Sequence, residues 1–143
     1  MEIPAARVTV RRLEPGDEDV VQRLAEREPQ TALLADERTI FLAAFDGADP
    51  VGFVFAYELL RRHGDPSLLF VYEIDVEEGY RRQGVATRLW RELERIARGR
   101  GIRGAFVLTN ASNEPAMRLY ESVGGFQPDD DVVMWDFDWS VAT

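Results

Sequence analysis

Short stretches rich in β-branched and apolar residues, several of them alternating with polar residues, recur along the chain and predict β-strands. They cover residues 7–13, 39–45, 51–59, 68–76, 105–108 and 132–139. Residues 46–50, Asp-Gly-Ala-Asp-Pro, separate the second and third stretches and are typical of a hairpin turn.

Helical periodicity appears between these stretches. The clearest helix begins after Gly84, where apolar residues recur on one face: Val85, Leu89, Leu93 and Ile96. Residues 114–123 predict another amphipathic helix, a helix begins after Asp17, and a short helix covers about residues 30–36. The order β-α-α-β-β-β-α-β-α-β indicates a mixed α/β (α+β) fold, with the longest helix directly after a central strand.

The composition excludes several kinds of catalytic and metal-binding site. The 143 residues suit a single domain spanning 1–143. The absence of cysteine excludes thiolate nucleophiles and cysteine-based zinc sites, and one histidine leaves no histidine cluster for a metal. The start of the chain lacks a signal-peptide pattern and no apolar run approaches eighteen residues, so we expect a cytoplasmic protein.

Charge is distributed unevenly. The net charge of −9 disfavours nucleic acid and anionic membranes as partners. Residues 77–103 nevertheless hold eight arginines against four glutamates, whereas residues 127–143 hold five aspartates and no base. The first of these segments suggests an anion site.

The basic segment contains a strand-to-helix turn with phosphate-binding character, Arg81-Arg82-Gln83-Gly84-Val85-Ala86-Thr87. A helix start offers unpaired N–H groups and the positive end of the helix dipole, and arginines add charge-assisted hydrogen bonds. The chain has neither the lysine of a Walker loop nor three glycines in G-x-G-x-x-G. The turn therefore suits a pyrophosphate, and the alternative is an ordinary turn with two solvated arginines.

Two ordered motifs resemble the GNAT superfamily of acetyl-CoA-dependent N-acetyltransferases. Arg81-x-x-Gly84-x-Ala86 resembles its Q/R-x-x-G-x-G/A signature, and a second motif follows: Asn113-x-x-Ala116-x-x-Leu119-Tyr120-x-x-x-Gly124-x-Phe126. The superfamily's Gly-Phe pair is here one glycine longer. The resemblance implies a mixed central sheet of about six to seven strands, splayed at a bulge, with about four helices.

The resemblance also implies acetyl-CoA as co-substrate, without a metal, and assigns residues to it. The backbone of Ile74 and Val76 would pair with pantetheine, and the Val76 N–H would polarise the thioester carbonyl. Tyr120 would protonate the departing thiolate. The remaining expected coenzyme-binding residues are Arg81, Arg82, Gln83, Gly84, Val85, Ala86, Thr87, Asn113 and Ala116, with helix N-capping as an equally good account of Asn113.

The acceptor amine must lose a proton before it can attack a thioester. Glu73 and Asp75 are two residues apart in an apolar strand and would share a face, where we expect both carboxylates to be partly buried. Glu73 is our preferred base, directly or through water, and Asp75 the alternate base or a substrate clamp. Pairing of either carboxylate with a neighbouring arginine is the structural alternative, and a bulge would change their facing.

Among GNAT enzymes the chain most resembles the class I aminoglycoside 3-N-acetyltransferases. The similar runs are Tyr72-Glu73-Ile74-Asp75-Val76, Arg81 to Thr87, Glu114-Pro115-Ala116 and Leu119-Tyr120. This resemblance implies acetyl transfer in a ternary complex to an aminoglycoside amine, with the 3-amino group as the expected position, conferring antibiotic resistance.

The acidic residues of the expected terminal strand favour a polycationic substrate. Asp136 and Asp138 alternate with aromatic residues and would present both carboxylates on one face to bind such an amine. Other acceptors, namely a polyamine, an amino acid or a protein N-terminus, remain open, as does a non-enzymatic CoA-binding domain. Homodimerisation through the terminal strands is a further expectation.

Overall fold

A five-stranded mixed sheet organises the computed structural model, which describes residues 7–129 and 131–140. The strands are β1 (Val8–Arg12), β2 (Thr39–Asp46), β3 (Asp49–Leu59), β4 (Leu68–Val76) and β5 (Ala105–Val107), in the order β1-β2-β3-β4-β5. The first four pair antiparallel, and β5 pairs parallel to β4.

Helices cover both faces of this sheet. They are α1 (Glu18–Leu24), α2 (Val85–Gly99) and α3 (Glu114–Ser122), with short 3-10 turns at Thr31–Ala35 and Glu78–Tyr80. Leu89 and Leu93 of α2 are buried against one face, whereas Val20 and Val21 of α1 belong to an aromatic-rich core on the other. Because successive side chains of a strand point to opposite faces of the sheet, β2 and β3 each contribute residues to both cores.

A bulge in β4 changes which side chains face the helices. Phe55 of β3 pairs with Glu73 but Ala56 pairs with Val71, so Tyr72 is the extra residue. Val71 and Ile74 both belong to the α2 side as a result. Glu73 and Asp75 are exposed and alternate with these core residues, so they lie on the opposite face. The expected bulge is confirmed.

The sheet opens beyond this bulge. β5 pairs only with Leu69, Phe70 and Val71, although β4 continues to Val76. The half of β4 from Tyr72 onward therefore has no paired strand on its β5 side within the described residues. This opening places backbone groups of β4 at the wall of a cleft.

The element count differs from the expected six to seven strands and four helices. The described residues form five strands and three α-helices, and the short helix expected at 30–36 is a 3-10 turn. The strand expected at 132–139 is not formed. Its apolar side chains are exposed, from 67% for Met134 to 89% for Trp139. The alternation of apolar and polar residues determines which face a strand would bury, but a strand also needs a neighbouring strand to pair with. This segment has no such neighbour among the described residues.

None of the helices in residues 7–129 or 131–140 is long and apolar enough to cross a membrane.

Candidate active site

The turn that begins α2 has a backbone suited to an anion. Gly84 is the N-cap with φ +80°, a left-handed conformation that glycine adopts without the Cβ penalty. Arg82 also has a positive φ, +63°. The glycine cap supplies no side-chain hydrogen bond, so the first N–H groups of this 15-residue helix remain available. The turn therefore presents backbone donors and the positive end of the helix dipole.

Hydrogen bonds hold this turn in place. The Tyr80 hydroxyl donates to Asp46 at 2.6 Å, tying the turn to the end of β2. The Gln83 amide donates to the Gly79 carbonyl at 3.1 Å. Gln83 thus stabilises the turn from within, and its side chain lies outside the cleft lining.

The open edge of β4 presents the backbone of Val76. The Glu77 N–H donates to Val51 of β3 at 2.8 Å. Because successive residues of a strand direct their backbone groups to alternate sides, Val76 and Ile74 direct theirs toward the opening. The Val76 N–H donates to the Asp75 carboxylate at 2.9 Å, and the Val76 carbonyl accepts from Arg81 Nε at 2.7 Å.

Asp75 and Arg81 also contact each other. Arg81 Nη2 lies 3.4 Å from Asp75 Oδ1, and both side chains are more than half exposed. The arginine pairing considered as an alternative is therefore present for Asp75. The Glu73 side chain makes no hydrogen bond or ion pair with another described residue. It is exposed, as is Asp75, so the expected partial burial of these carboxylates is wrong: the bulge and the splayed sheet open this face to solvent.

Tyr120 is held on α3 beside α2. Its ring lies 5.8 Å from the Trp90 ring, and burial raises the pKa of its phenol. Asn113 Oδ1 accepts the Ala116 N–H at 3.2 Å, so Asn113 is an N-cap of α3. The two glycines after the helix close it, since the Gly124 and Gly125 N–H groups donate to Glu121 and Tyr120 in a Schellman motif.

An aromatic wall continues from the bulge. The Tyr72 ring lies 5.9 Å from Tyr57, 6.2 Å from Phe55 and 5.7 Å from Phe70, each in an edge-on arrangement. Tyr72 is 54% exposed. The outward position of the extra residue therefore gives the cleft an aromatic surface suited to a ring-bearing or cationic ligand.

These features line one cleft of about 1320 Å³. It brings together many of the predicted residues: Glu73, Ile74, Asp75, Val76, Arg81, Arg82, Ala86, Thr87, Asn113, Ala116 and Tyr120. Gly84 and Val85 lie in the turn outside this lining, and the Val85 side chain is in the core. Asp136 and Asp138 lie in the exposed segment 131–140, which does not form the strand expected there, and they are outside the cleft lining.

Sequence reasoning missed part of the cleft. Glu26 and Glu28, between α1 and the following 3-10 turn, line it, as do Tyr57 and Phe53 of β3. The polar run Glu26-Arg27-Glu28 marks a loop in the sequence, but only tertiary packing brings this loop to β4. Its two carboxylates add to Glu73 and Asp75, so the cleft wall holds four acidic side chains.

Within the described ranges, no group of three or more His, Cys, Asp or Glu side chains is placed to hold a metal ion.

The sequence matches a family model over most of its length. Residues 8–126 match the acetyltransferase (GNAT) family. No curated protein matches the sequence significantly.

Solved structures share the fold. The aminoglycoside acetyltransferase HMB0005, from an uncultured soil metagenomic sample, is 28% identical with a TM-score of 0.78, over 92% of this chain and 97% of that one. The aminoglycoside acetyltransferase meta-AAC0020, also from an uncultured soil metagenomic sample and in complex with sisomicin, is 17% identical with a TM-score of 0.82, over 92% and 97%. AAC(6')-Iy, in complex with the bisubstrate analogue CoA-S-monomethyl-acetylneamine, is 17% identical with a TM-score of 0.74, over 92% and 98%.

Proposed function

The chain belongs to the GNAT acetyltransferase family, and we propose that it transfers the acetyl group of acetyl-CoA to an amine of an aminoglycoside, at the 3-amino group. The observation that carries this proposal is the open β4 edge at Val76, which lines one cleft together with residues of the amino-terminal turn of α2 and with Tyr120. This arrangement offers an anion site, an unpaired strand edge and a proton donor along one cleft.

The residues present fit the coenzyme. The backbone donors at the start of α2, with Arg81, Arg82 and the Thr87 hydroxyl, suit its pyrophosphate. The open edge at Ile74 and Val76 suits the amide groups of pantetheine, as an added strand would. Acetyl-CoA supplies an activated acetyl thioester, and the Val76 N–H, once released by Asp75, is the donor placed for its carbonyl oxygen.

Tyr120 provides the proton for the departing thiolate in this scheme. Its raised pKa keeps the phenol protonated at neutral pH, and burial is the cause. A protonated group within the cleft lining can act as general acid without a metal.

Glu73 accepts the proton of the attacking amine, directly or through water. Asp75 is already hydrogen-bonded to the Val76 N–H and paired with Arg81, whereas Glu73 has no such partner among the described residues. This difference favours Glu73 as the base and gives Asp75 a role at the thioester side of the cleft.

The acceptor side suits an aminoglycoside. Four carboxylates line the cleft, Glu26, Glu28, Glu73 and Asp75, beside four arginines, Arg27, Arg81, Arg82 and Arg118. Asp75 is paired with Arg81, whereas Glu73 has no ion-pair partner among the described residues and can attract a cationic amine, and exposed Tyr72 offers a face for a ring. The similarity to HMB0005 and meta-AAC0020 supports this substrate class. The choice of the 3-amino group rests on the resemblance of residues 72–76 and 81–87, and AAC(6')-Iy is the relevant comparison for transfer to another position.

Acetyl transfer should be measured with acetyl-CoA and a panel of kanamycin- and gentamicin-type drugs, beside spermidine, a free amino acid and a peptide. We expect turnover with the drugs, and NMR of the product should place the acetyl group on the 3-amine. Turnover with spermidine or the peptide alone would exclude the aminoglycoside assignment. Coenzyme binding without turnover of any amine would exclude an enzymatic role.

A further inference from the structure

Charged side chains surround a smaller recess at the end of the sheet away from the cleft. This basic recess has a volume of about 480 Å³ and is lined by Arg12, Glu37, Arg38, Glu58 and Arg100. Gly52 of β3 pairs with Val76 at the cleft, whereas Glu58 lies roughly 20 Å farther along the same strand. The basic recess is therefore separate from the site described above.

Four segments of the chain meet at the basic recess. Arg12 ends β1, Glu37 and Arg38 precede β2, Glu58 is near the end of β3, and Arg100 follows α2. Arg100 Nη1 donates to the Glu37 carbonyl and to Glu58 Oε1, each at 3.0 Å. The Arg100 and Glu58 side chains are only 26% and 17% exposed. This ion pair is therefore a fixed part of the wall.

The charges around the basic recess do not balance. Glu58 pairs with Arg100, but neither Arg12 nor Arg38 forms an ion pair with a carboxylate in the part of the chain that the structure describes. The Glu37 carboxylate is exposed and lies beyond ion-pair distance of all three guanidinium groups. Two of the three cations at this recess therefore lack an anionic partner there.

Arg12 shows most clearly that an anion would be stabilising. Its Nη2 donates to the Thr39 carbonyl at 3.0 Å, but its Nε is buried and has no hydrogen-bond partner among residues 7–129 and 131–140. Burial lowers the pKa of this guanidinium most, and the charge of Arg100 lowers it further, while Glu14 acts in the opposite direction. A guanidinium stays charged at neutral pH, so a partly desolvated cation is held beside a second one.

We propose that the basic recess binds a small dianionic oxyanion of the phosphate type, held by Arg12 and Arg38 with Arg100 beside them. Two negative charges match the two guanidinium groups that lack a partner, and guanidinium groups donate paired hydrogen bonds to phosphate oxygens. The volume accommodates either inorganic phosphate or a small phosphomonoester. The bound anion links β1, the segment before β2 and the end of α2.

NMR titration of the isotope-labelled full chain with inorganic phosphate tests this site directly. The backbone amides of Thr39 and Gly101 report on the basic recess, whereas those of Gly84 and Val85 report on the turn that begins α2. Each site therefore gives its own dissociation constant. We expect saturable shifts at Thr39 and Gly101; shifts confined to Gly84 and Val85 would overturn the proposal.

Arginine substitutions identify the groups that hold the anion. Arg12→Gln and Arg38→Gln should each weaken phosphate binding at the basic recess by about tenfold and leave binding at the turn unchanged. In Arg38 only the backbone N–H takes part in a hydrogen bond, to Asp36, so its substitution removes no side-chain bond that holds the fold. Unchanged affinity in both variants would contradict the assignment.

Arg23→Gln is the control for charge. Arg23 is exposed and pairs with Asp49, at the opposite end of β3 from Glu58, so its loss changes the net charge equally without touching the basic recess. Phosphate affinity at Thr39 and Gly101 should stay at the wild-type value. A loss equal to that of Arg38→Gln would assign the binding to overall charge and overturn the site.

Thermal unfolding provides a second readout. Because the anion binds the folded chain, phosphate should raise the Tm of the wild type more than that of Arg38→Gln at equal ionic strength. An equal rise in both proteins would reduce the effect to that of a stabilising salt and count against the proposal.

Titration with glycerol phosphate distinguishes the two sources of the anion. Tighter binding than inorganic phosphate identifies a phosphorylated metabolite as the ligand, and equal or weaker binding identifies the free ion; both results support the site. Succinate, which carries two carboxylates, should bind more weakly than either. Tighter binding of succinate would show that the basic recess selects dicarboxylates and would overturn the phosphate assignment.

Discussion

The carboxylate of Asp75 accepts a hydrogen bond from the backbone N–H of Val76, the residue that follows it, at 2.9 Å. The same carboxylate lies 3.4 Å from Arg81, which donates to the Val76 carbonyl. Both backbone groups of Val76 on the open edge of β4 are therefore occupied by side chains of the protein itself. A coenzyme that uses this edge has to displace them.

Asp75→Ala should strengthen acetyl-CoA binding. The substitution removes the acceptor that competes for the Val76 N–H, and a charge-assisted hydrogen bond is worth about 1–2 kcal/mol. We expect the dissociation constant, measured by calorimetry without amine, to fall roughly five- to thirtyfold.

Glu73→Gln is the matched control for the Asp75 variant. It removes one negative charge from the same face of β4 without touching Val76. We expect it to leave coenzyme binding unchanged and to lower kcat for the amine, in keeping with its proposed role as base. Equal gains in coenzyme affinity for both variants would assign the effect to charge alone.

Tyr120→Phe should lower kcat by about 100-fold or more, the usual contribution of a positioned general acid. Because burial raises the pKa of Tyr120, the phenol keeps its proton to a higher pH than an exposed tyrosine, whose pKa is about 10. The alkaline loss of wild-type kcat should therefore fall above that value and be missing in the variant. An unchanged kcat with normal coenzyme binding would remove Tyr120 from the mechanism.

Local patterns predicted the elements that form the side of the cleft proposed for the coenzyme. Val85, Leu89 and Leu93 are buried along α2 as their spacing indicates, because a helix that packs on a sheet buries one face. The strand-to-turn-to-helix order alone places Val76 near Gly84. The two motifs therefore predicted residues that line one cleft, and the proposed coenzyme side of that cleft follows from local sequence.

The side of the cleft proposed for the acceptor amine could not be predicted from local sequence patterns, because tertiary structure brings its residues together. The alternation in β4 did not specify that Tyr72 would be the extra residue, because a bulge depends on the partner strand. Glu26 reaches the cleft only through the packing of α1 on the sheet. Segment 131–140 has the alternating pattern of a strand but pairs with no strand among the described residues, because alternation within one segment does not specify which strand it pairs with.

Arg82→Gly should separate stability from coenzyme binding. Arg82 has φ +63°, where a residue with a Cβ is disfavoured by roughly 1 kcal/mol. Glycine removes this cost, but it also increases the conformational entropy of the unfolded chain, which offsets part of the gain. We therefore expect the free energy of unfolding to rise by about 0.5 kcal/mol. Loss of the guanidinium should weaken coenzyme binding roughly five- to tenfold.

Arg62→Gly provides the comparison for Arg82→Gly, since Arg62 is an exposed loop arginine without a positive φ. It should lower stability slightly and leave coenzyme binding unchanged. Urea denaturation and calorimetry measure both quantities. A fall in stability of Arg82→Gly equal to that of the control would contradict the backbone argument.

Gly125→Ala should disturb the end of the helix that carries Tyr120. A Cβ at this position would lie 2.8 Å from the Tyr120 carbonyl oxygen, the same atom that accepts the Gly125 N–H. Backbone on both sides leaves little room to move, so the Schellman closure of α3 has to open. We expect stability to fall by about 1–2 kcal/mol and kcat to fall several-fold, because the backbone of Tyr120 shifts.

Gly64→Ala separates this effect from the general cost of replacing a glycine. An added Cβ at Gly64 meets nothing within 4 Å, and its φ is not positive, so its stability and kcat should stay close to those of the wild type. Coenzyme affinity should be unchanged in Gly64→Ala and should fall less than kcat in Gly125→Ala, since neither substitution alters the turn at the start of α2. If Gly125→Ala keeps wild-type kcat while losing stability, the closure of α3 supports the fold without positioning the Tyr120 phenol.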